Sequence, residues 1–313
     1  MTKIKRIVSF LPSATELIYE FEKEELLVGV THECKFPKEV EKKLKIITSA
    51  IDSESLSSKE INHKTCQMLN DGKEIFILDE TNLKIADPDL IISQETCEVC
   101  AAHSNQVKKA LEVLSKKPQI YSMNPHNIEE ILQSVAELGD ILDEGEKAEK
   151  IRLDLKSRIL KVKNLQHKEK PKVIALEWIE PFFTAGHWIP EMIEIAGGEN
   201  LISKTGEHSK KINLENILEA DPDIILLMPC GFNAERTIEE YNKFLKENSI
   251  WNQLRAVKNK RLFALDADSF FSKPSIRTIK GLEILCKIIE PEITKNFGAP
   301  ENSYYNIIEG IKN

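Results

Sequence analysis

Several things are missing from this chain. No apolar run approaches membrane-spanning length, so no membrane insertion is expected. Met1–Arg6 is basic, but Ile7-Val8-Ser9-Phe10-Leu11 is too short for a signal-peptide core and runs directly into Pro12. With no small-residue cleavage site and no lipid-anchor cysteine near the start, a cytoplasmic protein is the expectation. Positive charge is in deficit: 43 Lys and Arg stand against 51 Asp and Glu, a net charge of −8, which argues against a nucleic-acid partner. There is no Walker motif, no helical His-Glu-x-x-His and no Ser-His-Asp spacing. No reaction is indicated, and a binding protein is favoured over an enzyme.

What the chain does have is a repeated phrase. Ala86-Asp87-Pro88-Asp89-Leu90-Ile91-Ile92 and Ala220-Asp221-Pro222-Asp223-Ile224-Ile225-Leu226 each follow a short helical stretch and lead into an apolar run. Proline ends the helix and biases the preceding residue toward extended backbone. At 313 residues the chain has room for two such lobes.

Short apolar runs at Ile4–Phe10, Leu27–Thr31, Leu90–Ser93 and Gln119–Ser122 alternate with helical patterns. This predicts a parallel sheet covered on both faces. Ser13 is expected to cap a helix through Phe21, with Glu16 at the capping-box position. The mixed-sign stretch Glu39–Lys45 reads as a solvated helix face. Asn127–Leu165 has helical spacing throughout and predicts one long helix, jointed near Asp143-Glu144-Gly145. The organisation expected is an α/β fold of two Rossmann-like lobes, 1–126 and 171–313, joined by a long interlobe helix within 127–170, with the ligand cleft between the lobes. Gly197-Gly198 reads as a helix end and not as a phosphate loop.

Ligands of parallel α/β sheets bind beyond the carboxyl ends of the strands. Those ends deliver Ser13, His32 and Cys34, then Cys97 and Cys100, and in the second lobe Glu177, Trp178, Cys230, Asp266 and Phe270, with His187 and Trp188 in a nearby loop. Cys66 and Cys286 read as packing residues. Thiolates are soft ligands, and Cys97-x-x-Cys100 with Cys34 and Cys230 forms a candidate set for zinc or an iron–sulfur cluster. A redox dithiol at Cys97 and Cys100 is the weaker alternative, because no thioredoxin-like context surrounds the pair.

The phrases Arg6–Glu16, Leu27–Thr31 and Asp87–Ile91 resemble the first lobe of the iron-chelate and cobalamin substrate-binding proteins of ABC importers. The similarity continues through Ile189–Gly198 and Ile250–Val257, and makes Trp251 a packing residue. Within that group the chain looks closest to a leaderless subgroup carrying His32-Glu33-Cys34, Cys97-Glu98-Val99-Cys100, Glu177-Trp178, Ala185-Gly186-His187-Trp188 and Met228-Pro229-Cys230-Gly231-Phe232. The resemblance implies two lobes closing over a small-molecule or metal-chelate ligand such as a corrinoid (cobalamin). Ser13, His32, Glu177, Trp178, His187, Trp188, Asp266 and Phe270 are the candidate contacts. The alternative is a metalloprotein, with enzymatic activity open to it, holding zinc or an iron–sulfur cluster on Cys34, Cys97, Cys100 and Cys230. The missing export signal weighs against an ABC transporter partner.

Overall fold

The computed structural model describes residues 3–94, 104–167 and 169–313. Its chain divides into two units. The first gathers Met1–Leu56, His63–Pro125 and Glu130–Leu153; the second gathers Ser57–Asn62, His126–Glu129 and Asp154–Asn313.

In the first unit, β1 (Ile7–Ser9), β2 (Leu27–Thr31), β3 (Leu44–Ser49), β4 (Phe76–Leu78), β5 (Leu90–Ser93) and β6 (Gln119–Ser122) form one sheet. Its order is β4-β3-β2-β1-β5-β6. All pairs are parallel except β3 with β4. The connections carry α1 (Pro12–Glu20), α2 (Ser58–Asn70), α3 (Glu80–Ala86) and α4 (Ser104–Val113), followed by α5 (Ile128–Ile141). Val8, Phe10, Ile46, Leu83 and Ile91 are buried together in this unit's core.

Three sequence expectations change here. Leu11, not Ser13, is the N-cap of α1, and Pro12 opens the helix. Proline suits that position because its missing N–H would have no partner in the first turn anyway. Ser13 and Glu16 are therefore buried inside the helix and form no capping box. Glu39–Lys45 is not a helix face but a 3-10 turn, Lys38–Lys42, running into β3. The burial of Ile46 and Ile47 outweighs the charge pattern before them.

The stretch read as one helix is two, α5 and α6 (Gly145–Lys163). Asp143 between them has φ 58°, the left-handed geometry that ends a helix. A Cβ on Gly139 would collide with the Cβ of Ala148, so glycine there lets the helices meet closely. The division between the units falls inside α6, after Leu153.

The second unit is built on β7 (Lys172–Trp178), β8 (Phe183–Thr184), β9 (Glu199–Asn200), β10 (Ile224–Leu227), β11 (Leu262–Leu265), β12 (Tyr304–Asn306) and β13 (Ile311–Lys312). The order is β13-β12-β11-β10-β7-β8, with β9 also on β7. The centre is parallel, and β8, β12 and β13 pair antiparallel at the edges. Its helices are α7 (Ile189–Ile195), α8 (Leu214–Ala220), α9 (Ala234–Phe244), α10 (Arg255–Lys258), α11 (Ala267–Phe270) and α12 (Thr278–Ile289). Trp251 is fully buried with Ile174, Leu176, Ile225 and Leu262, as expected of a packing residue.

The repeated phrase has the same geometry in each unit. Asp87 ends α3 and Asp221 ends α8 in the left-handed region, at φ 35° and 44°, and each N–H returns to the carbonyl of a leucine, Leu83 or Leu218. Proline then blocks a further helical turn and the chain enters β5 or β10.

Candidate functional site: a histidine cluster in the second unit

In the second unit the chain leaves β7 toward β9 on one side and β10 on the other. The crevice beyond such a divergence is where parallel sheets place ligands. Glu177 and Trp178 end β7, and Cys230 follows β10, its N–H donating to the Glu177 carbonyl at 3.0 Å. The Trp178 indole N–H donates to the Ser58 carbonyl at 3.1 Å, and its ring lies 5.4 Å from that of Phe232.

Two chain segments run antiparallel beside this end of the sheet. Thr184 N–H donates to the Lys210 carbonyl at 2.9 Å, His187 N–H to the Glu207 carbonyl at 2.7 Å, and Gly206 N–H to the His187 carbonyl at 2.9 Å. Gly186 makes the approach feasible. A Cβ there would stand 2.6 Å from the Glu207 carbonyl oxygen and 2.8 Å from the Ser209 nitrogen. The pairing holds His187, at φ 53°, against His208, with ring centroids 5.1 Å apart. A third histidine joins them. Ile128 N–H donates to the Glu191 carboxylate at 2.9 Å, tying the segment of His126 to the first turn of α7. His126 Nδ1 then lies 3.3 Å from His187 Nδ1, and its ring is 5.9 Å from that of His208.

The electrostatics favour neutral imidazole. Burial, then the neighbouring His208 and His126, push the His187 pKa down to about 4, so its ring is uncharged at neutral pH. Neutral imidazole is the form that binds metal. Glu177 accepts from Gly186 N–H at 3.2 Å and from the Ser209 hydroxyl. Burial raises its pKa, with those two hydrogen bonds opposing the shift. Glu177 thus braces both histidine-bearing segments. Among the described residues no group of three or more His, Cys, Asp or Glu side chains could hold a metal ion by itself.

The other candidates lie elsewhere or serve packing. Trp188 is 5% exposed and its indole donates to the Phe271 carbonyl at 3.1 Å, which makes it a core residue and not a loop contact. Asp266 caps α11 by accepting from Ser269 N–H, and Phe270 ends that helix half-buried. In the first unit, Ser13 is buried, and among the described residues its hydroxyl has no hydrogen-bond partner. His32 is engaged by Glu33 through Nε2 at 3.2 Å and faces the Ile47 carbonyl through Nδ1.

The cysteines divide differently from the expectation. Cys34 is 1% exposed, hydrogen-bonded to the hydroxyls of Thr15 at 3.2 Å and Thr31 at 3.5 Å, and burial pushes its thiol pKa up. In this arrangement the Cys34 thiol is held by two hydroxyls within the first unit. Cys230 is half-buried in the second unit. Cys97 and Cys100 lie outside the described residues. Cys286 is buried as expected, but Cys66 is exposed on α2 and is not a packing residue.

Neither His126 nor His208 was among the candidate ligands read from the sequence. His126 was visible only as a residue beyond β6, and His208 sits in a polar stretch without periodicity. The Ala-Gly-His-Trp phrase was the one local signal of the cluster.

Two α/β units of this topology, with ligand-type side chains at strand ends, are the architecture of a substrate-binding protein. The chain belongs to the periplasmic binding protein family, which matches residues 7–269. It is 33% identical over 143 residues to the high-affinity heme uptake system protein IsdE of Staphylococcus aureus strain MRSA252, covering 44% of this chain and 49% of that protein. The chain therefore matches about half the length of that curated relative. Among solved structures it is similar to a periplasmic heme binding protein from Pseudomonas aeruginosa, with TM-score 0.71 and 18% identity over 93% of this chain and 94% of that one. It is also similar to the periplasmic vitamin B12 binding protein BtuF of Vibrio cholerae, with TM-score 0.68 and 20% identity over 92% and 97%. At those identities the two structures speak to the fold alone. Among the described residues no helix is long and apolar enough to cross a membrane.

Proposed function

We propose that the chain is a substrate-binding protein for a metal-bearing small molecule, a haem, a corrinoid or an iron chelate, which it passes to an ABC transporter. The observation that carries this reading is the neutral His187 imidazole held at 3.3 Å from His126 by a braced backbone. Uncharged ring nitrogens fixed at the end of a sheet are suited to meet a metal centre. Trp178 and Phe232, in tilted ring contact at the same end of the unit, supply apolar surface of the kind ligand pockets use. The heme named for the 33%-identical relative supports the same class.

The test is a visible-spectrum titration of the purified chain with hemin, hydroxocobalamin and a ferric chelate, read together with quenching of tryptophan emission. At least one ligand should give a saturable shift that His187→Ala weakens. No saturable change with any of the three would sink the reading.

A further inference from the structure

We infer that His126 and His187 meet the cargo metal together, as neighbours in its coordination shell, so that the site selects a divalent late first-row metal with two adjacent positions open. This rests on the metal-binding reading above and narrows its ligand class to an aquated ion or an open chelate, as opposed to a metal closed in a planar ring.

The distance decides between the geometries. Two nitrogens bound ~2.0–2.1 Å from one ion stand ~2.8–3.0 Å apart at adjacent octahedral positions and ~3.3–3.4 Å apart at a tetrahedral angle. Two axial nitrogens on opposite faces of a haem would stand ~4 Å apart with the ring plane between them. The observed Nδ1–Nδ1 separation is 3.3 Å, with the rings inclined at 34°. Nothing as broad as a tetrapyrrole fits between nitrogens that close. As they stand, one ring donates a proton to the other. On metal binding that ring carries its proton on Nε2 instead, and no net proton is lost.

The donor atoms are also held in place. His187 sits in a left-handed backbone conformation between Gly186 and the Glu207 carbonyl, and the His126 segment is tied to Glu191. Imidazole suits zinc, nickel, copper and iron, whereas calcium and magnesium take oxygen ligands. The pair is incomplete as a metal site, and no third donor among the described residues completes it. On this inference the remaining coordination positions belong to what the metal brings, water or a chelator. The exposed His208, edge-on to both rings, is the side chain placed to turn in when the metal arrives as the bare ion.

The experiment uses the full untagged chain, stripped of metal, and calorimetric titration with four probes: Ni²⁺ alone, Ni²⁺–iminodiacetate, Ni²⁺–EDTA and hemin. Ni²⁺–iminodiacetate leaves adjacent positions open and should bind. Ni²⁺–EDTA leaves none and should not. His126→Ala and His187→Ala should each weaken Ni²⁺–iminodiacetate at least tenfold, and the double variant should lose little more. His208→Ala should affect Ni²⁺ alone more than the chelate, and His63→Ala, on the surface of α2, neither. Circular dichroism and thermal melts of each variant separate lost ligands from lost folding. Copper(II) bound to the intact protein should show electron-spin splitting from two nitrogens, reduced to one by either substitution. Binding of hemin without Ni²⁺–iminodiacetate overturns this inference and leaves the proposed function standing. Binding of Ni²⁺–iminodiacetate that ignores either histidine also overturns it. If no probe binds, both readings fall.

Discussion

Asp89 and Asp223 make the same bond at equivalent places in the two units. The Asp89 carboxylate accepts from the Lys5 backbone N–H at 3.0 Å, and the Asp223 carboxylate accepts from the Lys172 N–H at 2.9 Å. Each aspartate thereby fastens the start of its own strand, β5 or β10, to the residue leading into or opening the neighbouring strand, β1 or β7. Each also has a basic partner, Lys116 for Asp89 and Arg255 for Asp223.

Asp223→Ala should destabilise the second unit by about 1 kcal/mol, the usual worth of one such hydrogen bond. Asp89→Ala should do the same in the first. Urea denaturation of each single variant checks this, and a loss in neither would make the repeated aspartates incidental.

Gly186→Ala should weaken ligand binding more than it weakens folding. The added methyl must push residues 207–209 away, and with them the position of His187 against His208. The check is to compare melting temperature with affinity for whichever probe binds the unaltered chain. An alanine variant with full affinity would show that the close approach is not needed.

Trp188→Ala should cost about 3–5 kcal/mol, because a buried indole is replaced by a cavity and the Phe271 carbonyl loses its donor. Trp188→Phe should retain much of the packing and lose chiefly the hydrogen bond. Chemical denaturation of both, with and without ligand, should give the same loss in each condition.

Acid should weaken the second unit through Glu283. Its burial alone would raise the carboxyl pKa, but ion pairs with Arg158 at 2.7 Å and Lys280 at 2.8 Å outweigh it, and the net shift is downward. A carboxyl with a folded pKa below its unfolded value stabilises the fold fully above the unfolded value. That contribution is lost as pH falls through the folded value. Glu283→Gln should therefore lower the melting temperature at pH 7 and bring it toward that of the unaltered chain at acid pH. Parallel melts between pH 7 and about pH 3 test the convergence.

The α/β alternation, the two-unit organisation and the family were legible because they rest on local signals. Apolar runs such as Leu90–Ser93, the Ala-Asp-Pro-Asp stops and the buried Trp251 each declare themselves within a few residues. The site was legible only in part. His187 stood out in Ala-Gly-His-Trp, but His126 and His208 reach it through backbone pairing of residues 184–187 with 206–210 and through the Ile128–Glu191 bond. Such pairings join positions that share no periodicity. Trp188 was misread for the related reason that a loop-like phrase does not reveal that its indole turns inward onto Phe271.

The closing hairpin of the second sheet has a further consequence for behaviour in concentrated solution. β12 and β13 cover the side of β11, whose four residues are all buried. An uncovered apolar strand is a template on which another chain can add its own. Deleting residues 303–313 should leave the histidine segments intact in sequence yet turn a well-behaved protein into one that self-associates. Light scattering against concentration should rise steeply for the shortened chain and stay flat for the whole one.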